Sequence, residues 1–205
     1  MEILKYVLVI VGSYLLGSLS MSIIMSKTVL GGDVRNQGSG NAGATNMARV
    51  FGWGAGFITL AGDVAKAALS MYIGWLLLGD IGLAIGGIAS TVGHCFPVFY
   101  GFKGGKGVSV GLAVAFAINW KVAAIALSVF IIIAVCSKKV SLGSICAAAS
   151  IIICSIVMSV GVPKMILGIT VPTLVIIQHR GNIRRLLNGT EKDFKAGKRS
   201  EKAEK

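Results

Sequence analysis

Apolar stretches about as long as a bilayer is thick recur along this chain, and they constrain its fold more than any other feature. A membrane span needs about 20 mostly apolar residues, because the bilayer core is roughly 30 Å thick and a helix rises about 1.5 Å per residue. Residues 3–25, 51–78 and 81–99 are such stretches, and residues 142–160 and 164–177 complete the set. Between them runs 108–135, interrupted only at Asn119-Trp120-Lys121. Of the 205 residues 55% are hydrophobic and 14% charged, whereas a soluble domain carries about 25% charged residues. A core of this length cannot hide that much apolar surface from water, so the surface faces lipid. The first stretch is too long for a cleavable signal core and more spans follow it, so it reads as a retained helix.

The interrupted run decides the number of crossings. One long helix there gives six spans, and a hairpin turning at Asn119–Lys121 gives seven. Lys and Arg collect in cytoplasmic loops. With seven spans and the N-terminus outside, sixteen of the 20 basic residues fall inside; Lys5, Lys121 and Lys164 lie outside and Lys66 within a span. Six spans would move Lys138, Lys139 and the basic C-terminal stretch away from the other cations. The sequence therefore predicts an all-α polytopic membrane protein with seven transmembrane helices, N-terminus outside and C-terminus cytoplasmic. One membrane domain occupies residues 1–188. A charged tail without periodicity, residues 189–205, reads as disordered. The hairpin leaves residues 107–118 as a helix of about 18 Å, too short to cross alone, so its start lies below the membrane surface and lines a pocket.

Three polar segments share the inner face. The first is GGDVRNQGSGNAGATNMAR, residues 31–49. Its glycines permit close approach of a ligand to backbone N–H groups, and Ser39, Asn41, Thr45 and Asn46 add donors. A structureless loop this long is uncommon in a compact domain unless it is functional. The second is HCFPVFYGFKGGKG, residues 94–107. Gly104 and Gly105, flanked by Lys103 and Lys106 just before a helix start, suit an anion. It is no Walker A loop, because Tyr100 and Gly107 hold the places of that motif's first glycine and its Ser/Thr. A basic membrane-surface loop would satisfy the same charge rule. The third is HRGNIRRLLNGTE, residues 179–191, in which His179 and Asn182 are three apart and share a helical face. Arg184 and Arg185 read partly as a stop-transfer cluster.

Other polar groups have blander readings. Ser141, at a helix start, is expected to act as a cap. Asp63 and Lys66, spaced i, i+3, are expected to pair, and His94 reads as a helix-end polar group. Cys95, Cys136, Cys146 and Cys154 lie in or beside apolar segments without metal spacing and read as inert thiols.

At these residues the chain closely resembles the bacterial acyl-phosphate-dependent glycerol-3-phosphate acyltransferase family. The matching motifs are GSGNAGATNMAR (38–49), GHCFPVFYGFKGGKGVS (93–109) and HRGNIRRLLNGTE (179–191), supported by GSLS (17–20) and GDVAKA (62–67). The resemblance implies a seven-span enzyme of the bacterial inner membrane with its active site at the cytoplasmic face. It implies transfer of a fatty acyl group from acyl phosphate to the 1-hydroxyl of sn-glycerol 3-phosphate, giving lysophosphatidic acid and phosphate, the first acylation of phospholipid synthesis. Ser39, Arg49, Lys106, Ser144, His179 and Asn182 are the site residues it implies. Of these His179, Asn182 and Ser39 would serve catalysis. Arg49 and Lys106 would bind substrate phosphate together with Lys103, Gly104, Gly105, Asn41, Thr45, Asn46 and Ser144. Membrane lipid is an expected partner, along with functional coupling to the enzyme that forms acyl phosphate. Neither cofactor, metal nor nucleic acid is expected.

Acyltransferases that draw on acyl-CoA or acyl carrier protein use a His-x-x-x-x-Asp pair. Here Phe99 stands five after His94 and Arg184 five after His179, so neither histidine forms that pair locally. Either His179 or the departing phosphate would take the hydroxyl proton. A small anion transporter is the alternative class, but no inverted repeat is visible and the polar segments cluster at one face. A metal-dependent phosphotransferase would need grouped carboxylates, and the interior offers only Asp63, with Asp33 in a loop.

Overall fold

The computed structural model describes residues 1–197, and every regular element among them is helical. The α-helices are α1 Glu2–Ser18, α2 Met21–Thr28, α3 Ala44–Phe51, α4 Trp53–Cys95, α5 Val108–Ile118, α6 Trp120–Ser137, α7 Val140–Val157, α8 Val162–Gln178 and α9 Arg180–Leu187. Single 3₁₀ turns stand at Val34–Asn36 and Val98–Tyr100. Glu2–Thr28, Trp53–Tyr100, Trp120–Ser137 and Val140–Val157 are long and apolar enough to cross a membrane, and α8 with α9 would add one bent span.

The 43-residue α4 is a hairpin. Leu78 and Gly79 leave helical geometry, Gly79 at φ 60°, at the break expected between the second and third apolar stretches. Beyond it the arms fold back with Gly74 against Gly82 and Gly86 against Ser70. A Cβ at any of these glycines would meet backbone, so small residues set the close approach. Gly17 of α1 packs on Ser90 and Gly93 on Tyr14 in the same way, which joins α1 to the second arm. The first apolar stretch is itself broken, since extended backbone at Leu19 and Ser20 separates α1 from α2.

Asn119 makes the other turn. It is extended at φ −169°, and its side chain accepts a hydrogen bond from the Lys121 N–H at 2.8 Å, capping α6. The 11-residue α5 before it is about 16 Å long, too short to cross a bilayer core. It is enclosed by protein: Val110, Val114 and Ile118 pack with Met71, Val122 and Leu167 in the main apolar cluster.

The distribution of polarity is that of a membrane protein. Trp75, Ile132, Val135 and Ile153 are exposed, whereas Asp63, Lys66 and His94 are buried. Lys66 Nζ lies 2.9 Å from Asp63 Oδ1, donates to Leu19 O at 2.7 Å and stands 3.2 Å from His94 Nδ1. The expected Asp63–Lys66 pair is present and His94 joins it. Charge rather than alignment holds Asp63, whose oxygens accept no well-directed hydrogen bond.

Residues 189–197 belong to the tail expected to be disordered, and several of them make defined contacts. Phe194 N–H donates to Lys138 O at 2.9 Å and Gly197 N–H to Ala48 O at 3.1 Å. Glu191 is drawn inward by Ser141, Asn182 and Arg185. Composition hid these anchors, because each partner lies elsewhere in the chain or in a segment that reads as merely basic. Residues 198–205 of that expected tail lie outside the described residues.

Candidate active site

The first polar segment is built around a buried amide. Asn46 is 1% exposed; its Oδ1 accepts the Ser39 N–H at 2.8 Å, and its Nδ2 donates to Val34 O and Gln37 O, each at 3.0 Å. Gly38 and Gly40 at φ 60° and 72° let the chain turn on either side of Ser39. Asn46, an expected phosphate-binding residue, directs these hydrogen bonds to the loop that carries Ser39. Arg49 is on α3, not in a loop. Arg35 clasps Asp33, at 2.7 Å from Oδ2, and donates to Tyr100 O at 2.9 Å, tying the first segment to the second. That guanidinium holds the Asp33 carboxyl well below the usual range. The two segments enclose an open cleft of about 600 Å³ lined by Lys27, Arg35, Tyr100, Lys103 and Gly104.

In the second segment, where Gly104 and Gly105 are expected to bind a phosphate, Gly104 N–H donates to Cys95 O at 3.2 Å and Gly105 N–H to His94 O at 3.1 Å. Glycine is needed there for packing. A Cβ on Gly105 would run into the His94 ring and lie 2.8 Å from Ala42 O. The strap so formed delivers Lys106 to the start of α5, whose first-turn N–H groups have no intrahelical acceptor.

The third segment turns toward that lysine, with α8 and α9 meeting at 57°. His179 sits at the bend, 3% exposed. Its Nδ1 is 2.8 Å from Val175 O. A carbonyl only accepts, so Nδ1 carries the hydrogen, and Nε2 of the neutral ring keeps its lone pair. Lys106 Nζ donates to Asn182 Oδ1. Asn182 Nδ2 donates to Glu191 Oε1 at 2.6 Å, as does the Ser141 hydroxyl at 2.6 Å, and Arg185 Nε donates to Oε2 at 2.7 Å. Ser141 is therefore no cap: the N-cap of α7 is Lys139. Ser144 Oγ donates to Val140 O at 2.9 Å within α7.

The charges are tuned by this enclosure. Burial brings the Lys106 ammonium down to about 8, with Arg185 and Arg49 adding to the effect and Glu191 opposing it. Burial alone would raise the Glu191 carboxyl, but the hydrogen bonds from Ser141, Asn182 and Arg185 carry it below its ordinary value.

Of the expected site residues, the structure joins Lys106 to Asn182 directly and brings Arg49 close enough for its charge to act on Lys106. Lys103 and Thr45 are exposed, as is Ser39, and Asn41 is half-buried. Glu191, Arg185 and Ser141 had no assigned place in the site. Glu191 is the one acid of the segment 179–191, beside three arginines, and that was the available signal for it. Among the described residues, no group of three His, Cys, Asp or Glu side chains is arranged to hold a metal ion.

The glycerol-3-phosphate acyltransferase family model matches residues 7–189. The glycerol-3-phosphate acyltransferase of Clostridioides difficile (strain 630) is 39% identical over 210 residues, covering 98% of this chain and all of the relative. That of Trichlorobacter lovleyi is 42% identical over 188 residues, covering 91% and 96%. The crystal structure of PlsY (YgiH), an integral membrane glycerol 3-phosphate acyltransferase, in its glycerol 3-phosphate form superposes with a TM-score of 0.88 at 38% identity, covering 93% of this chain and 96% of that one. Its lysophosphatidic acid form gives 0.85 at 36% identity, with coverage of 93% and 95%. This chain is a multi-pass membrane protein that belongs to the glycerol-3-phosphate acyltransferase family.

Proposed function

We propose that the protein transfers a fatty acyl group from acyl phosphate to the 1-hydroxyl of sn-glycerol 3-phosphate, releasing 1-acyl-sn-glycerol 3-phosphate and inorganic phosphate. The observation that carries this reading is the direct bond between Lys106 and Asn182. It joins the second and third motifs in one site within a chain of this family. Similar proteins crystallised with glycerol 3-phosphate and with lysophosphatidic acid support the acceptor and the product. The acyl-phosphate donor is inferred from the motif resemblance and from the absence of a local His-x-x-x-x-Asp pair.

In this reading the chain crosses the bacterial inner membrane seven times, N-terminus outside, with the site at the cytoplasmic face. The charge distribution and the breaks at Leu78–Gly79 and Asn119 support that arrangement. Arg49 holds one phosphate through its planar fork, and Lys106 supplies a point charge to the same region. The free N–H groups of the first turn of α5 face the second phosphate. Ser39, Asn182 and Ser144 orient substrate by hydrogen bonds, and the acyl chain lies along apolar surface at lipid depth.

The hydroxyl oxygen attacks the acyl carbon, a C–O ester bond forms, the bond from carbonyl carbon to phosphate oxygen breaks, and phosphate leaves with the electron pair. The hydroxyl proton passes to His179 Nε2 or to the departing phosphate, and either route balances the step. An acyl phosphate is a mixed anhydride with a good leaving group, so no acyl-enzyme is needed. Ser39 has no adjacent base that would make it a nucleophile. Holding two substrates in line accounts for several kcal/mol of the barrier.

Incubation of the purified protein in lipid with labelled glycerol 3-phosphate and palmitoyl phosphate tests the reading. The expected product is lysophosphatidic acid esterified at position 1. Ester at position 2, or release of free palmitate alone, would refute it.

A further inference from the structure

Residues 190–197 lie past the end of the family match at residue 189, yet they bind the bundle at three places. At the root, Glu191 is held by Ser141, Asn182 and Arg185. In the middle, Phe194 N–H donates to Lys138 O at 2.9 Å, and Asp193 pairs with Lys139 at 2.9 Å. At the far end, Gly197 N–H donates to Ala48 O at 3.1 Å, the carbonyl next to Arg49 in sequence. A Cβ at Gly197 would lie 2.6 Å from Arg49 O, so only glycine lets the two backbones approach so closely.

The segment also touches the Arg49 side chain. Its guanidinium carbon lies 5.9 Å from the centroid of the Phe194 ring, within the range of cation–π attraction. Trp53 meets the same ring edge to face at 5.3 Å, which keeps the ring from sliding away. An arginine has four side-chain torsions, and fixing them before the ligand arrives lowers the ordering cost of binding.

We propose that residues 190–197 form a positioning strap, with Phe194 and Gly197 holding Arg49 in the orientation that receives a substrate phosphate. Phe194 is thus a positioning residue on which substrate affinity depends. The inference rests on the reading of Arg49 as a phosphate ligand.

The test compares Phe194→Ala, Phe194→Leu and Phe194→Trp with Arg49→Ala in the full chain reconstituted in lipid. KM for both substrates, kcat and the thermal midpoint are measured for each. Phe194→Ala and Phe194→Leu are expected to raise KM for one phosphate substrate about threefold to fivefold, with kcat and midpoint unchanged. Phe194→Trp, which keeps an aromatic face, is expected to stay within about twofold of the parent. Unchanged KM values in Phe194→Ala alongside a large defect in Arg49→Ala would overturn the strap and leave the phosphate reading standing. A loss of kcat in step with the thermal midpoint, without a KM change, would reduce Phe194 to a structural role and also overturn it. Full activity in Arg49→Ala would overturn the phosphate reading and the strap together.

Discussion

Lys106 donates a hydrogen bond to Asn182, a residue 76 positions further along the chain. Asn182 passes the contact on to Glu191, so one amide couples the cation before α5 to the carboxylate that anchors the C-terminal segment. The ammonium is thereby oriented without a direct ion pair among the described residues.

Removing either cation should cost more than removing the hydroxyl that supports them. Arg49→Ala and Lys106→Ala are expected to lower kcat/KM by about 10²–10³-fold, the usual effect of deleting a group that stabilises developing charge. Ser141→Ala leaves Glu191 with Asn182 and Arg185, so a loss of about tenfold or less is expected. Steady-state kinetics on the three variants checks this, and equal, small losses in all three would remove the proposed phosphate site.

The pH dependence follows from the lowered Lys106. Its charged form is the protonated one, so the charge is lost as pH rises through about 8, well below an ordinary lysine. The profile of kcat/KM for glycerol 3-phosphate, which reports the free enzyme, should fall above that pH. Lys106→Arg, whose guanidinium stays protonated, should abolish the alkaline fall even if it lowers the plateau. An unchanged alkaline limb in that variant would assign the fall to another group.

Nε2 of His179 keeps its lone pair because Nδ1 is engaged with Val175 O. If the ring takes the hydroxyl proton, His179→Gln should reduce turnover by about 10²–10⁴-fold, the range for general-base catalysis. Near-parental turnover with a flat profile around neutrality would transfer that role to the departing phosphate.

The buried trio of Asp63, Lys66 and His94 predicts a stability effect. Lys66→Met leaves Asp63, 1% exposed, without its lysine partner. A loss of about 3–5 kcal/mol is expected for a broken buried pair. The double variant Asp63→Asn/Lys66→Met should recover part of it, as unfolding in detergent would report. A single variant at least as stable as the double would contradict the pairing.

Much of the helical layout was legible because its signals are local. Asn119 both ends an apolar run and carries the side chain that caps the next helix. The break at Leu78 and Gly79 falls where one apolar stretch of spanning length ends and the next begins. Ser141 and Gly105 show where local reading stops. A hydroxyl at a helix start looks like a cap unless Glu191, 50 residues away, is known to reach it. Two glycines before a helix look like an anion cradle unless the carbonyls of His94 and Cys95 are known to occupy their amides. Arg49, Lys106, His179 and Asn182 were named by motif resemblance, while their mutual placement depends on the α4 hairpin and the bend between α8 and α9. Phe194 had no sequence signal, since its partners Trp53 and Arg49 come from the other end of the chain.

The most direct test of the central claim is a comparison of donors. Purified protein in lipid, without added metal, receives glycerol 3-phosphate with palmitoyl phosphate, palmitoyl-CoA or palmitoyl carrier protein, and lysophosphatidic acid is measured. The account predicts product with palmitoyl phosphate alone. Comparable product from either thioester would contradict the assigned donor, and none from any donor in a folded preparation would contradict the assigned activity.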